Sequence, residues 1–122
     1  MNDCLFCKIT KNEIESFTLF EDDKLKVILD AFPEKPGHTL IIPKVHYKDL
    51  DDIPLDLLTD IFDTAKRIKL LLEAKLNPVS ITLIQNNGEA EKIKHFHLHL
   101  IPSYNEKNTL SKEEIFKILM EK

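Results

Sequence analysis

With two glycines in 122 residues, the sequence has no Gly-rich phosphate loop of the Walker or Rossmann type. No serine stands in a nucleophile elbow. No apolar run approaches the roughly 20 residues that span a bilayer, so no membrane partner is expected. Lys and Arg form no dense tract, and the net charge is −4. That balance argues against nonspecific binding to a phosphate backbone, and no nucleic-acid partner is expected. The opening Met1-Asn2-Asp3-Cys4 is acidic and lacks the charged-then-apolar layout of a signal peptide, which predicts a cytoplasmic protein. Cysteine is confined to Cys4 and Cys7. In a cytosolic chain such a pair reads more readily as a metal or redox pair than as a structural disulfide. Repeats and low-complexity segments are absent.

The chain does have material for a core. Its residues are 43% hydrophobic and 31% charged, the balance of a soluble globular protein, and its length predicts one domain over 1–122. Residues 4–9 read as a short helical turn. Strands are expected at 18–21, 25–30, 38–43 and 79–85. Leu58, Ile61, Phe62, Ala65, Ile68 and Leu72 recur at helical spacing and predict one long amphipathic helix from about 54 to 75, with Pro54 as a good first residue and Asn77-Pro78 as its stop. Ser111-Lys112-Glu113-Glu114 is a capping box that opens a last helix. Asn87-Gly88 leads by a turn into a fifth strand. The elements follow no βαβ rhythm, so the fold class expected is α+β: a five-stranded antiparallel sheet with one long helix and shorter helices.

The fifth strand carries the chemistry. In Lys94-His95-Phe96-His97-Leu98-His99-Leu100-Ile101-Pro102 three histidines alternate strictly with apolar residues. Alternation is the signature of a half-buried strand, with successive side chains on opposite faces. Phe96, Leu98 and Leu100 are then expected to face the core, with the imidazoles on the other side. Adjacent histidines lie roughly 6.6–6.8 Å apart along such a strand. Three protonated imidazoles in a row repel one another, so most should be neutral near pH 7 and available as bases, nucleophiles or ligands. A single histidine on a strand is usually just solvated or hydrogen-bonded; three in register call for another explanation. One metal held by all three is disfavoured, because the outer pair stands about 13 Å apart whereas zinc needs each nitrogen at ~2.0–2.1 Å.

Other residues leave several readings open. Cys4-x-x-Cys7 is half a zinc site, a redox pair, or two incidental residues. The βαβ setting of a thioredoxin-like motif is missing. If zinc takes four N or S ligands, the remaining ones must be histidines, and His38 and His46 lie outside the triad. Taken alone, each of these two histidines reads as a surface residue, Asp30 as a solvated carboxylate, and Asn86-Asn87-Gly88 as a turn. If the protein is an enzyme, histidine is the nucleophile to expect.

The motif His95-Phe96-His97-Leu98-His99-Leu100-Ile101 resembles the defining motif of the histidine triad (HIT) family. The resemblance covers nearly the whole chain: Cys4-Leu5-Phe6-Cys7-Lys8-Ile9, Phe20-Glu21-Asp22-Asp23, Ile28-Leu29-Asp30, Gly37-His38-Thr39-Leu40-Ile41-Ile42-Pro43-Lys44 and Asn86-Asn87-Gly88 match in order. It points to the histidine triad nucleotide-binding branch, whose members are dimeric purine-nucleotide phosphoramidases and dinucleoside polyphosphate hydrolases. It implies a homodimer and a purine nucleotide substrate. It implies that His97 is the nucleophile, that His99 and His38 stand beside the phosphates, and that Asp30 holds the ribose hydroxyls. Leu5, Phe6, Ile9, Ile14 and Ile28 match the walls of the base pocket, and Asn86 an asparagine near phosphate and ribose. Some zinc-carrying relatives use the counterparts of Cys4, Cys7, His46 and His95, which implies a structural Zn2+ closed by four protein ligands.

One segment departs from the family pattern. Gly88-Glu89-Ala90-Glu91-Lys92-Ile93-Lys94 is shorter than the loop of many relatives. It places Glu91 near an expected Gln, and Lys92 near an expected Ser or Thr, at positions that contact phosphate or leaving group in those relatives. The reading is therefore a nucleotidyl hydrolase or transferase that releases a nucleoside monophosphate through a nucleotidyl-histidine. The alternatives are a nucleotide- or zinc-binding adaptor with negligible turnover and, third, a redox protein using Cys4 and Cys7.

Overall fold

The computed structural model describes residues 4–88 and 93–121. Glu91 and Lys92 lie outside the described residues. The elements run α1 (Leu5–Thr10), β1 (Thr18–Glu21), β2 (Leu25–Leu29), β3 (Thr39–Pro43), α2 (Leu55–Leu76), β4 (Ser80–Ile84), β5 (Leu98–Ser103) and α3 (Lys112–Met120). The five strands form one sheet in the order β1-β2-β3-β5-β4, every neighbouring pair antiparallel. The expected α+β class and strand count are what the chain adopts.

The sheet is buried on both faces in its centre, because β2 and β3 have no polar side to turn outward except Lys26 and Thr39. All five residues of each strand are buried. Leu25, Val27 and Leu29 of β2 join Ile41 of β3 and Leu98 and Leu100 of β5 in the larger core, packed against α2 and α3. From α2, Ile61, Ala65, Ile68 and Leu72 enter this core from one helical face. The alternate residues Ile28, Leu40 and Ile42 face the other way, onto Phe6 and Ile9 of α1. Each large aliphatic side chain buried in these layers contributes about 1.5–3 kcal/mol.

The helix ends are set by local chemistry. Asn77 adopts a left-handed conformation, φ 54°, and its N–H closes α2 on the carbonyl of Glu73, before Pro78. Pro54 is not the first helical residue: it is the N-cap, with extended backbone at ψ 146°, and α2 begins at Leu55. Ser111 and Glu114 form the reciprocal capping box of α3.

The histidine segment is shorter as a strand than its alternation suggests. β5 begins at Leu98, so His95 and His97 precede the ladder and only His99 lies within it. The faces still alternate, since Phe96, Leu98 and Leu100 all enter the core. The ladder between β3 and β5 pairs Thr39 with Leu100 and Ile41 with Leu98, and the same register would place Pro43 opposite Phe96. Proline has no N–H to give, so the ladder stops there. Phe96 N–H donates to the carbonyl of Tyr47 instead, at 2.6 Å, while the Pro43 carbonyl accepts from His95 Nε2 at 2.8 Å.

Candidate active site and metal centre

A cavity of about 870 Å3 opens on the α1 side of the sheet. Leu5, Phe6, Ile9 and Ile14 line it from α1 and the following segment, Ile28 and Asp30 from β2 and its end, Asn86 from the segment after β4, and His97 and His99 from the histidine segment. All the residues matched to nucleotide contacts on sequence, apart from His38, Glu91 and Lys92, therefore meet in one place. His38 stands behind His99 and lines a neighbouring crevice of about 230 Å3, which shares Asp30 with the main cavity. Phe32, 90% exposed, and Lys112 also line the main cavity. Sequence reading passed over both, because one lies in a Pro-flanked loop and the other reads as part of a helix cap. Lys112 Nζ donates to the carbonyl of Ala31 at 2.9 Å, which ties α3 to the cavity rim.

Hydrogen bonds assign the histidine tautomers. His97 is 4% exposed, and its Nδ1 lies 2.7 Å from the carbonyl oxygen of His95. A carbonyl only accepts, so Nδ1 carries the proton and Nε2 is the basic nitrogen of the neutral ring. The Phe6 ring stands edge-on to His97 with centroids 4.7 Å apart, which holds the imidazole in place. In His38 the assignment runs the other way. The backbone N–H of Glu34 donates to His38 Nδ1 at 3.1 Å, so the proton of neutral His38 sits on Nε2. That nitrogen is 2.9 Å from His99 Nδ1 and 3.4 Å from a carboxylate oxygen of Asp30. His99 Nδ1 thus accepts, and neutral His99 carries its proton on Nε2. The result is a directed chain from Glu34 N–H through His38 to His99. The His97 and His99 rings lie 4.8 Å apart, closer than their backbone spacing, because both lean over the cavity.

Burial keeps His38 and His95 neutral. His38 is held below the usual imidazole range by desolvation, which outweighs the charges of Asp30 and Glu34. His95, fully buried, is pushed down to about 4 by desolvation, partly offset by its bond to Pro43 and reinforced by His46 and His97. Asp30 is held by two contacts, the His38 ring and the N–H of Phe32 at 2.9 Å.

His95 belongs to a second group. The ligand atoms of Cys4, Cys7, His46 and His95 all lie within 4.8 Å of one another. Cys4 Sγ is 3.3 Å and Cys7 Sγ 3.4 Å from His95 Nδ1, and Cys7 Sγ is 3.1 Å from His46 Nδ1. Ligands at zinc bond lengths around a tetrahedral centre stand about 3.3–3.8 Å apart, so these three contacts already lie close to the spacing the ion needs. His95 also meets the outer requirement, since Nε2–H donates to Pro43 and leaves Nδ1 as the ligand nitrogen. Without a cation Cys7 resists ionising: its thiol is pushed up to about 11 by burial, then by the hydrogen bond and charge of Cys4, against a lowering by Lys11.

Asp30, His38 and His99 also bring their donor atoms within 4.8 Å. The Glu34 N–H bond argues against a metal there. It occupies His38 Nδ1 and keeps a proton on the nitrogen that would have to ligate, the reverse of the arrangement at His95.

Comparison with known proteins agrees with this fold. The HIT domain model matches residues 11–106. Adenosine 5′-monophosphoramidase HNT1 of Saccharomyces cerevisiae is 44% identical over 109 residues, 88% of this chain and 66% of that protein, just short of two thirds of its length. A zinc-bound histidine triad family protein from Mycobacterium smegmatis shares the fold with a TM-score of 0.88 at 29% identity, over 97% of this chain and 91% of that one. A hypothetical histidine triad nucleotide-binding protein from Sulfolobus tokodaii gives 0.89 at 28% identity, over 96% and 89%. With its histidine motif, its sheet and a domain model matched over most of its length, the chain belongs to the HIT family.

Proposed function

We propose that the protein is a HIT-type nucleotidyl hydrolase or transferase, acting as one domain, that cleaves nucleoside phosphoramidates or dinucleoside polyphosphates and releases a nucleoside monophosphate. The observation that carries this reading is the fixed tautomer of His97 at the wall of a cavity that is also lined by apolar residues of α1 and β2 and by the carboxylate of Asp30. The similarity to an adenosine 5′-monophosphoramidase supports a purine nucleotide as substrate.

In the proposed reaction a purine base packs among Leu5, Phe6, Ile9, Ile14 and Ile28, the ribose hydroxyls donate to Asp30, and Asn86 lies near phosphate and ribose. His97 Nε2 attacks the α-phosphorus. The N–P bond forms as the bond to the leaving group breaks, and the leaving nitrogen or oxygen takes its proton from solvent. His99 Nε2–H donates a hydrogen bond to a phosphate oxygen, and His38 Nε2–H, donating to His99 Nδ1, holds that tautomer. Water attacks the nucleotidyl-histidine, the N–P bond breaks, and the nucleoside monophosphate leaves. Splitting one displacement into two lowers each barrier, and neutral imidazole is a competent nucleophile near pH 7. The hydrogen bond from His99, backed by His38, to developing charge on phosphate adds stabilisation. Glu91 and Lys92 remain candidates for leaving-group contact on sequence alone.

Cys4, Cys7, His46 and His95 would hold a structural zinc, which supplies a cross-link between α1 and the segment before β5 rather than any step at phosphorus. We also propose a homodimer. β4 is one of the two edge strands of the sheet, the other being β1, and Val79, Leu83 and Ile84 at or beside it are exposed apolar residues, as is Phe62 on α2. Pairing two copies along this edge would satisfy the open ladder.

The deciding experiment incubates the purified protein with an AMP phosphoramidate and with a dinucleoside polyphosphate, with and without reductant, and follows nucleoside monophosphate together with acid-labile nucleotidyl-protein. Product that depends on His97 supports the reading. Tight nucleotide binding without product favours the adaptor, and dependence on the thiol redox state alone favours the redox alternative.

A further inference from the structure

Lys26 is a charged residue in the middle of a strand whose five residues are all buried, and it is itself 2% exposed. It pairs in register with Ile42 of β3, whose side chain belongs to the cluster under α1. Its ammonium donates to the carbonyl of Ile9 at 2.9 Å and to Asn12 Oδ1 at 2.7 Å. Both acceptors mark the C-terminal end of α1, and Asn12 takes a left-handed backbone, φ 63°, directly after it. A cation there also complements the negative end of the helix.

A buried ammonium is costly unless its bonds are worth the desolvation. What those bonds secure is a helix of six residues, too short to persist by its own hydrogen bonds. That short helix carries an unusual load. Leu5, Phe6 and Ile9 line the cavity, Phe6 also braces His97, and Cys4 and Cys7 are half of the metal group.

We propose that Lys26 is a positioning residue: by fixing the end of α1 it sets the base-binding wall and the two cysteine ligands as one body. For its nucleotide arm the inference rests on the proposed function; for its metal arm it rests only on the cysteine and histidine group. A defect at Lys26 should therefore loosen nucleotide and metal together and disturb His97 much less, because the His95 carbonyl still orients its ring when the Phe6 contact slackens.

The test compares wild type with Lys26→Met, which keeps much of the volume and removes the charge, and with Asn12→Gly, which suits the left-handed backbone and removes one acceptor. Three readings are taken on the protein as purified: amide hydrogen exchange along the chain, release of zinc to a chelator, and AMP affinity with the KM and kcat of phosphoramidate turnover. In Lys26→Met, exchange at residues 8–12 should rise selectively, zinc release should quicken, and AMP affinity should fall about tenfold with KM rising and kcat within about twofold. Asn12→Gly should shift the same readings by less. The thermal midpoint should not fall in proportion, because an apolar replacement of a buried ion is often neutral or stabilising. Unchanged exchange and zinc release in both variants would overturn the proposal. So would exchange rising throughout the sheet with kcat falling in step, which is the result of a merely structural lysine. If wild type binds no AMP, the proposed function fails, and exchange with zinc release still decides the role of Lys26.

Discussion

His97 Nδ1 donates to the carbonyl oxygen of His95, two residues back, at 2.7 Å. The bond exists because His95 and His97 lie ahead of the β5 ladder, where the His95 carbonyl is available to a ring instead of a strand. A backbone carbonyl thereby defines which nitrogen of the central histidine carries the lone pair.

His97→Ala should remove at least about three orders of magnitude of turnover, since no other side chain can replace the covalent nucleophile. AMP binding should persist, because the apolar wall and Asp30 remain. Steady-state turnover with calorimetric AMP binding on the same sample checks both halves. A variant that keeps a tenth of the wild-type rate excludes the covalent route through His97.

Untagged protein should contain about one zinc per chain, and Cys4→Ser or Cys7→Ser should lose it. Metal that binds only the folded state stabilises that state, so thermal midpoints should fall in both variants and in chelated wild type. Loading the ion must displace the thiol proton of Cys7, whose affinity for it is raised. Zinc retention against a fixed chelator should therefore weaken as pH falls. Elemental analysis without zinc, and unchanged midpoints, would remove the site.

Much of this was legible in the residues. The alternation of Phe96, Leu98 and Leu100 announced which face enters the core, and the helical spacing of Ile61, Ala65, Ile68 and Leu72 announced α2. The family resemblance grouped Cys4, Cys7, His46 and His95, whose donor atoms do converge. What stayed hidden depends on backbone groups, which every residue carries alike. The tautomers of His97 and His38 are set by the carbonyl of His95 and the N–H of Glu34. The start of β5 depends on a proline more than fifty positions away, and Pro54 became a cap because α2 begins at the next residue. Lys26 and Lys112 drew no notice because each is bound to a main-chain oxygen, of Ile9 and of Ala31, which no sequence pattern marks.

Metal-free protein should lose stability as pH falls from 7 to 5. His95 is held at about 4 in the folded chain, against an ordinary value near 6.5. Between those values the unfolded chain binds more protons than the folded one, so unfolding becomes easier as pH drops; above 6.5 the stability is fully present. For one such group the loss from pH 7 to 5 is about 2 kcal/mol. His38, shifted in the same direction, adds to it. Urea unfolding of chelated protein across this range gives the slope, and His95→Asn should flatten it. A slope of opposite sign, or one unaffected by the substitution, contradicts the buried neutral imidazole.

Asp30 separates recognition from chemistry. Its carboxylate reaches His38 Nε2 at 3.4 Å, accepts the Phe32 N–H, and still faces the cavity, with its side chain 20% exposed. Charge-assisted bonds from ribose hydroxyls contribute roughly 1.5–3 kcal/mol. Asp30→Ala should therefore weaken AMP binding by about ten- to hundredfold, and Asp30→Asn, which keeps an acceptor without the charge, by less. The carboxylate also favours protonated His38, so its removal should drive that ring further toward the neutral form, which the directed chain to His99 already uses. The loss should accordingly fall on KM, with kcat above pH 7 nearly preserved. A 2′,3′-dideoxyribose analogue of the substrate, which lacks both hydroxyls, should bind wild type and Asp30→Ala equally. If the dideoxy analogue still distinguishes the two proteins as strongly as the ribose substrate does, Asp30 acts through the loop at Phe32 and not through the sugar.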